Sequence, residues 1–213
     1  MMSNNEPHIF VTPFERNRKC ISDIINQHNL TGYGVEIGVK QGIFSKHLLS
    51  TVNFTKLYLV DPWSEQDLKT YDETHHDHKN DLLACLSNVK PFQGRCEIVR
   101  DFSYNAYSKF EDEYFDFIYI DGNHSYSAVL DDLNKWYPKL KTGGLIAGDD
   151  YTSKPEELSF NYMFGVKKAV DEFALKHKKN VSIDLVGDWY YKASLNNGRE
   201  EILYPSRNWY WIK

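Results

Sequence analysis

The chain has 213 residues, 41% of them hydrophobic and 15% aromatic, enough for one α/β domain with a proper core and short for two. That balance excludes disorder, and a formal net charge of −5 without a long Lys/Arg run argues against a nucleic-acid partner, which needs a clustered positive surface. No apolar run approaches the roughly 18 residues of a membrane span, residues 1–7 lack a signal-peptide centre, and Cys20, Cys85 and Cys96 show no CxxC or zinc spacing, so free thiols in a reducing, cytoplasmic protein are expected.

Residues 18–30 place Ile21, Ile24, Ile25 and Leu30 at near-helical spacing and predict an amphipathic helix against a sheet edge. A repeating pattern follows. Strands are predicted at Tyr33–Ile37, Lys56–Val60, Cys96–Val99, Phe115–Ile120 and 145–147, and helices at 44–49, 81–89, 103–110 and 127–136, with a turn over 138–144. Alternating strands and helices imply βαβ units and a parallel sheet, and the fully apolar strands imply one covered on both faces. After a helix at 166–178, strands at 181–186, 189–192 and Trp209–Ile212 follow without intervening helices, so an antiparallel edge is expected. No repeat or linker interrupts the chain. One domain over 1–213 is expected: a helical segment 1–32, a core 33–151, and a C-terminal helix with antiparallel strands 152–213.

Ligands of open parallel sheets bind outside the carboxyl ends of the strands. Five successive predicted strand ends carry an acid: Glu36, Asp61, Asp101, Asp121 and the pair Asp149–Asp150. One such acid is an ordinary cap or turn residue; five in succession point to a site. The first strand runs into Glu36-Ile37-Gly38-Val39-Lys40-Gln41-Gly42, where one glycine lets the backbone approach a ligand and a second opens the helix. The spacing is not GxGxxG, which weighs against a nicotinamide cofactor. His75-His76-Asp77-His78 lies in the polar stretch 64–80, where adjacent side chains seldom converge on one ion; a solvated loop or lid is the expectation there. The stretch 151–165 borders the same face and is expected to help shape an acceptor pocket.

ExGxxxG after the first strand, an acid ending the second and Asp121-Gly122-Asn123-His124-Ser125-Tyr126 after the fourth resemble the class I S-adenosylmethionine-dependent methyltransferases. Within them, D-G-x-H-x-Y followed by Gly143-Gly144 and Gly148-Asp149-Asp150-Tyr151 is similar to the small-molecule O-methyltransferase branch. That branch holds the macrocin-type sugar O-methyltransferases and their cephalosporin-hydroxylase-like relatives. The resemblance covers roughly residues 33–151 and implies a Rossmann-like, doubly wound sheet and S-adenosylmethionine as cofactor. It implies that Gly38 and Gly42 pass the methionine part, Glu36 meets its amino group, Asp61 takes the ribose hydroxyls, Trp63 covers the adenosine or merely packs, and Asp101, Phe102 and Ser103 hold the adenine. In catechol-type relatives two Asp and an Asn hold magnesium; here Asp121, Asp149 and Asp150 stand at those places, so Mg²⁺ or another divalent cation is implied, unless Asp150 is only a cap. His124 stands where those relatives carry a Lys base. It is expected to take the acceptor's proton beside Asp121, or else to serve as a ligand or orienting group.

The reading is methyl transfer to a hydroxyl of a small molecule, a sugar favoured, with neither nucleic acid nor membrane as partner and a homo-oligomer left open. Two rivals stand beside it: a metal-independent O- or N-methyltransferase, and a non-catalytic nucleotide-binding or interaction module on the same fold.

Overall fold

The computed structural model describes residues 19–66, 77–151, 165–183, 191–194, 200–203 and 208–213. In chain order the elements are α1 (Lys19–Gln27), β1 (Tyr33–Ile37), α2 (Ile43–Thr51), β2 (Lys56–Val60), α3 (His78–Val89), β3 (Cys96–Val99), α4 (Ser103–Ala106), β4 (Phe115–Ile120), α5 (Tyr126–Trp136), β5 (Leu140–Gly148), α6 (Val166–Lys176), β6 (Ser182–Ile183), β7 (Tyr191–Ser194), β8 (Glu200–Leu203) and β9 (Trp209–Ile212). Seven strands form one sheet in the order β3-β2-β1-β4-β5-β9-β6. β3, β2, β1, β4 and β5 pair in parallel, whereas β9 runs antiparallel to both β5 and β6. This is a Rossmann-like architecture, doubly wound, with antiparallel strands at one edge.

The period-2 alternation of the strands splits the core into two layers. Phe115, Ile118 and Ile120 of β4 face one layer with Val129, Leu133 and Trp136 of α5 and Val170 and Phe173 of α6. Phe117 and Tyr119 face the other, with Ile21 and Ile25 of α1, Phe44 and Leu48 of α2, and Cys85 of α3. The apolar strands are thus covered on both faces, as their sequence implied. Burial also pushes the Cys85 thiol up to about 12, so this cysteine is an inert core residue. All three cysteines are free. No helix among the described residues is long and apolar enough to cross a membrane.

Several boundaries differ from the sequence expectation. The segment 138–144 is not simply a turn: β5 starts at Leu140, pairs with Phe115, and absorbs Gly143 (φ +82°) through a register shift. The expected helix 103–110 divides into α4 and a 3₁₀ turn at Tyr107–Lys109. In the tail, β9 lies between β5 and β6, because Trp209 and Trp211 bury against α6's layer. β7 is not an edge strand of this sheet; it pairs antiparallel with β8, which the sequence reading did not anticipate, in a separate two-stranded sheet. Residues 184–186 and 189–190 of the expected strands lie outside the described residues, as do His75, His76 and 152–164. Of the expected loop stretch, His78 instead opens α3, and Asp77 before it caps that helix by accepting the Asn80 N–H at 3.1 Å.

Candidate active site

Strand order reverses between β1 and β4, and their following helices lie on opposite faces, α2 in one core layer and α5 in the other. A crevice therefore opens between the two strand ends. It holds a cavity of about 1540 Å³, walled by the turns after β1, β2, β3, β4 and β5. Single small-molecule pockets measure roughly 300–1,000 Å³, so this space accommodates a cofactor and an acceptor together.

Gly38 makes the floor. Its φ is +84°, and a Cβ there would stand 1.9 Å from the Asp121 carbonyl oxygen. Its N–H donates to Val60 O at 2.9 Å while the Asp121 N–H donates to Ile37 O at 2.8 Å, so the ends of β1, β2 and β4 are stitched together at this glycine. Gly42 differs from expectation. It does not line the cavity; with φ +67° its missing Cβ makes room for Cys85 Sγ, which would stand 2.9 Å away. That glycine lets α2 close on α3. Glu36 is buried on the cavity wall, with Oε2 accepting the Ser45 hydroxyl at 2.5 Å.

Asp61 is more committed than a free ribose acceptor. Oδ2 accepts the N–H groups of Val39 (3.0 Å) and Lys40 (2.9 Å), and Oδ1 accepts that of Trp63 (2.7 Å). Lys40 (φ +50°) and Trp63 (φ +42°) are both left-handed, a conformation that costs non-glycine residues free energy. The carboxylate holds both turns in place. Burial raises its pKa, and the three backbone donors oppose that rise. Trp63 is 3% exposed, packs in the α1–α3 core layer, donates from Nε1 to Lys40 O at 2.8 Å and also lines the cavity, so both of its expected roles stay open to it.

Phe102 and Ser103 line the cavity but Asp101 does not. Its carboxylate turns to Lys109 Nζ at 2.7 Å, a partner that holds its pKa below the usual value. In its place the structure brings Asp132 to the cavity wall, a residue the sequence reading passed over. The signal was present: Val129, Asp132, Leu133 and Trp136 fall at i, i+3, i+4 and i+7, so an acid occupies the apolar stripe of α5. Asp132 is 3% exposed and bonded to the Ser103 side chain. Burial pushes its pKa up to about 7; Asp131 adds to the rise, and Ser103 and Lys135 oppose it. A folded-state pKa raised above the unfolded value contributes stability that is lost as pH climbs from the ordinary Asp range through about 7. Asp132→Asn should therefore raise Tm over the wild type by more at about pH 8 than at about pH 5, read by calorimetry.

The remaining acids meet beyond the ends of β4 and β5. His124 Nε2 lies 3.1 Å from Asp150 Oδ2 and 3.7 Å from Asp121 Oδ1. One ligand-capable atom from each of Asp121, His124 and Asp150 falls within 4.8 Å of the other two, which suits a single divalent cation. Asp149 lines the cavity too, but it is His124, not Asp149, that completes this cluster. Asp149 Oδ1 accepts the Asp150 N–H at 2.8 Å and so supports the left-handed Asp150 (φ +62°).

Residues 35–151 match the family described as "Methyltransferase domain". Among solved structures, an O-methyltransferase from Bacillus cereus in complex with SAH is 15% identical, with a TM-score of 0.60 over 98% of this chain and 85% of that one. Precorrin 8W decarboxylase from Methanobacterium thermoautotrophicum is 16% identical, with a TM-score of 0.57 over 99% of this chain and 95% of that one. Precorrin-6y C5,15-methyltransferase from Geobacter metallireducens is 14% identical, with a TM-score of 0.58 over 95% and 93%. At such identities the likeness is one of fold. No curated protein matches the sequence.

Proposed function

The chain belongs to the methyltransferase-domain family, and from that premise we propose that it transfers a methyl group from S-adenosylmethionine to a hydroxyl oxygen of a small molecule, a sugar being the favoured acceptor. The observation that carries this reading is the placement of Asp121, His124 and Asp150 in the same cavity as the Gly38 turn, at the sheet's switch point. The cofactor half is the floor at Gly38, with Glu36 presenting a buried carboxylate to an amino group and Phe102 and Ser103 walling the adenine end. Asp61 keeps the turns in register and has at most one lone-pair direction left for a ribose hydroxyl.

The acceptor half is the carboxylate–imidazole cluster. Asp121 and Asp150 would hold a divalent cation such as Mg²⁺, and bound there it would lower the pKa of an acceptor hydroxyl. His124 would take the hydroxyl proton, with Asp150 beside its ring at 3.1 Å. Direct displacement at a methyl group needs alignment above all, so the protein's chief contribution is holding oxygen and methyl carbon in line. The sugar preference rests on the D-G-x-H-x-Y resemblance. The 3.1 Å His124–Asp150 contact also favours a second reading, a metal-independent methyltransferase in which that pair alone does the proton chemistry.

Calorimetry with S-adenosylhomocysteine, S-adenosylmethionine and NAD tests the cofactor. The expected outcome is micromolar-range binding of the first two, and tight NAD binding without them would overturn the reading. Screening labelled S-adenosylmethionine against nucleotide sugars and glycans, with and without Mg²⁺, then tests the acceptor.

A further inference from the structure

Two tyrosines that follow the acid–imidazole cluster in sequence are left unused by the chemistry above. Tyr126 stands two residues after His124, and Tyr151 follows Asp150 directly. Neither lines the cavity. Both reach α6 instead: the Tyr126 hydroxyl donates to Glu172 Oε2 and the Tyr151 hydroxyl to Asp171 Oδ1, each at 2.5 Å. Residues four apart share a helix face, so α6 presents two columns side by side. Lys167 and Asp171 take Tyr151, and Lys168 and Glu172 take Tyr126. Lys167 Nζ pairs with Asp171 Oδ2 at 2.6 Å and lies 5.0 Å from the Tyr151 ring centroid, and Lys168 Nζ lies 4.8 Å from that of Tyr126. The start of α6 makes a third contact. The N–H of its cap, Gly165, donates to His124 O at 2.9 Å, and a Cβ on Gly165 would stand 2.4 Å from Tyr126 Cβ. A glycine is what lets the helix press on this turn.

The two loops need such an element. β4 and β5 are paired up to Ile120 and Gly148, but the next contact, from the Asp149 N–H to Ile120 O, is already stretched to 3.4 Å. We propose that α6 is the crosspiece that sets the spacing between the loop of Asp121 and His124 and the loop of Asp150, with Tyr126 and Tyr151 as its positioning residues. This rests on the methyl-transfer reading for what the spaced groups do, and adds what keeps them spaced. A helix is stiff along its length, so loops tied to adjacent residues of one helix move with it and not against each other. The Tyr151 tie is the stronger, because its bond is part-buried whereas that of Tyr126 is exposed. Burial around Tyr151 and the Glu172 carboxylate beside Tyr126 raise both phenol pKa values, so each hydroxyl stays a donor.

The test is hydrogen exchange of the whole chain, joined to calorimetry with Mn²⁺ alone. Tyr151→Phe keeps the ring and removes the tie. It should lower amide protection about tenfold in the loop 149–151, the usual consequence of losing a hydrogen bond to a charged group, while β4 and β5 keep wild-type protection. Tyr126→Phe should do the same, more weakly, in 122–126. Both changes together should weaken Mn²⁺ binding roughly tenfold, because its ligands come from both loops. Asp171→Asn, whose amide oxygen still accepts the Tyr151 hydroxyl but no longer pairs with Lys167 as an ion, should stay close to the wild type. Unchanged exchange in both loops overturns the inference, and so does a loss spread evenly through the sheet, which would mark general packing. A loss in Asp171→Asn without one in Tyr151→Phe hands the effect to the ion pair and overturns it too. A wild type that binds no Mn²⁺ overturns the cation reading of the cluster, and the exchange data still decide the role of α6.

Discussion

His124→Ala is expected to lower the turnover number by about 10²–10⁴-fold, the usual worth of a positioned general base. Binding of S-adenosylhomocysteine should hardly change, because His124 belongs to the acid cluster and not to the Gly38 or Phe102–Ser103 walls. The structure supports a base on geometric grounds. The imidazole is 13% exposed, Nε2 approaches Asp150 at 3.1 Å, and the His124 carbonyl is clamped by the Gly165 N–H at 2.9 Å. The carboxylate beside the ring and the anchored backbone together suit a base paired with an orienting acid. The measurement is initial rate against metal concentration for wild type and variant. If His124 is instead a cation ligand with Asp121 and Asp150, excess metal should restore the rate. An undiminished rate would remove His124 from the chemistry.

Exhaustive chelation is expected to abolish turnover, with Mg²⁺ or Mn²⁺ restoring it. Asp121→Ala should reproduce that loss beyond rescue, on the order of 10³-fold if the cation supplies several kcal/mol. Asp121 and Asp150 reach toward one imidazole from two strand ends, and two carboxylates set this close repel less when a cation lies between them. Asp150→Asn separates ligand chemistry from backbone geometry. Its φ of +62° is a conformation that Asn adopts readily, so the turn survives while one charge is lost, and the effect should be milder than that of Asp121→Ala. Full activity in excess chelator would overturn the metal-assisted reading in favour of the His124–Asp150 pair acting alone.

The parallel half of the sheet was readable in the sequence because each strand there is a short, mostly apolar run with an acid in it or just after it. Tyr33–Ile37, Lys56–Val60, Cys96–Val99 and Phe115–Ile120 fall where they were expected. Their periodicity is a local property, set by residues that a sequence window sees together. Gly38 was legible for the same reason, although its cause, the Asp121 carbonyl 1.9 Å from where a Cβ would lie, is a contact across 83 positions of chain. The tail was less legible. Whether β9 joins β5, and whether β7 finds β8 instead of the sheet edge, depends on partners that no local pattern names.

The candidate site divides along the same line. The sequence by itself determined that acids end successive strands and that Asp121 and His124 stand in one turn, because residue type and spacing carry that information. Tertiary structure alone decided what each acid faces. Asp101 turns to Lys109, Asp61 is bound by three backbone N–H groups, Gly42 yields to Cys85, and Asp132 swings from a helix stripe to the cavity wall. It also decided that His124 and Asp150, 26 positions apart, meet at 3.1 Å. The physical reason is that a side chain's hydrogen bonds and burial depend on elements packed from distant parts of the chain.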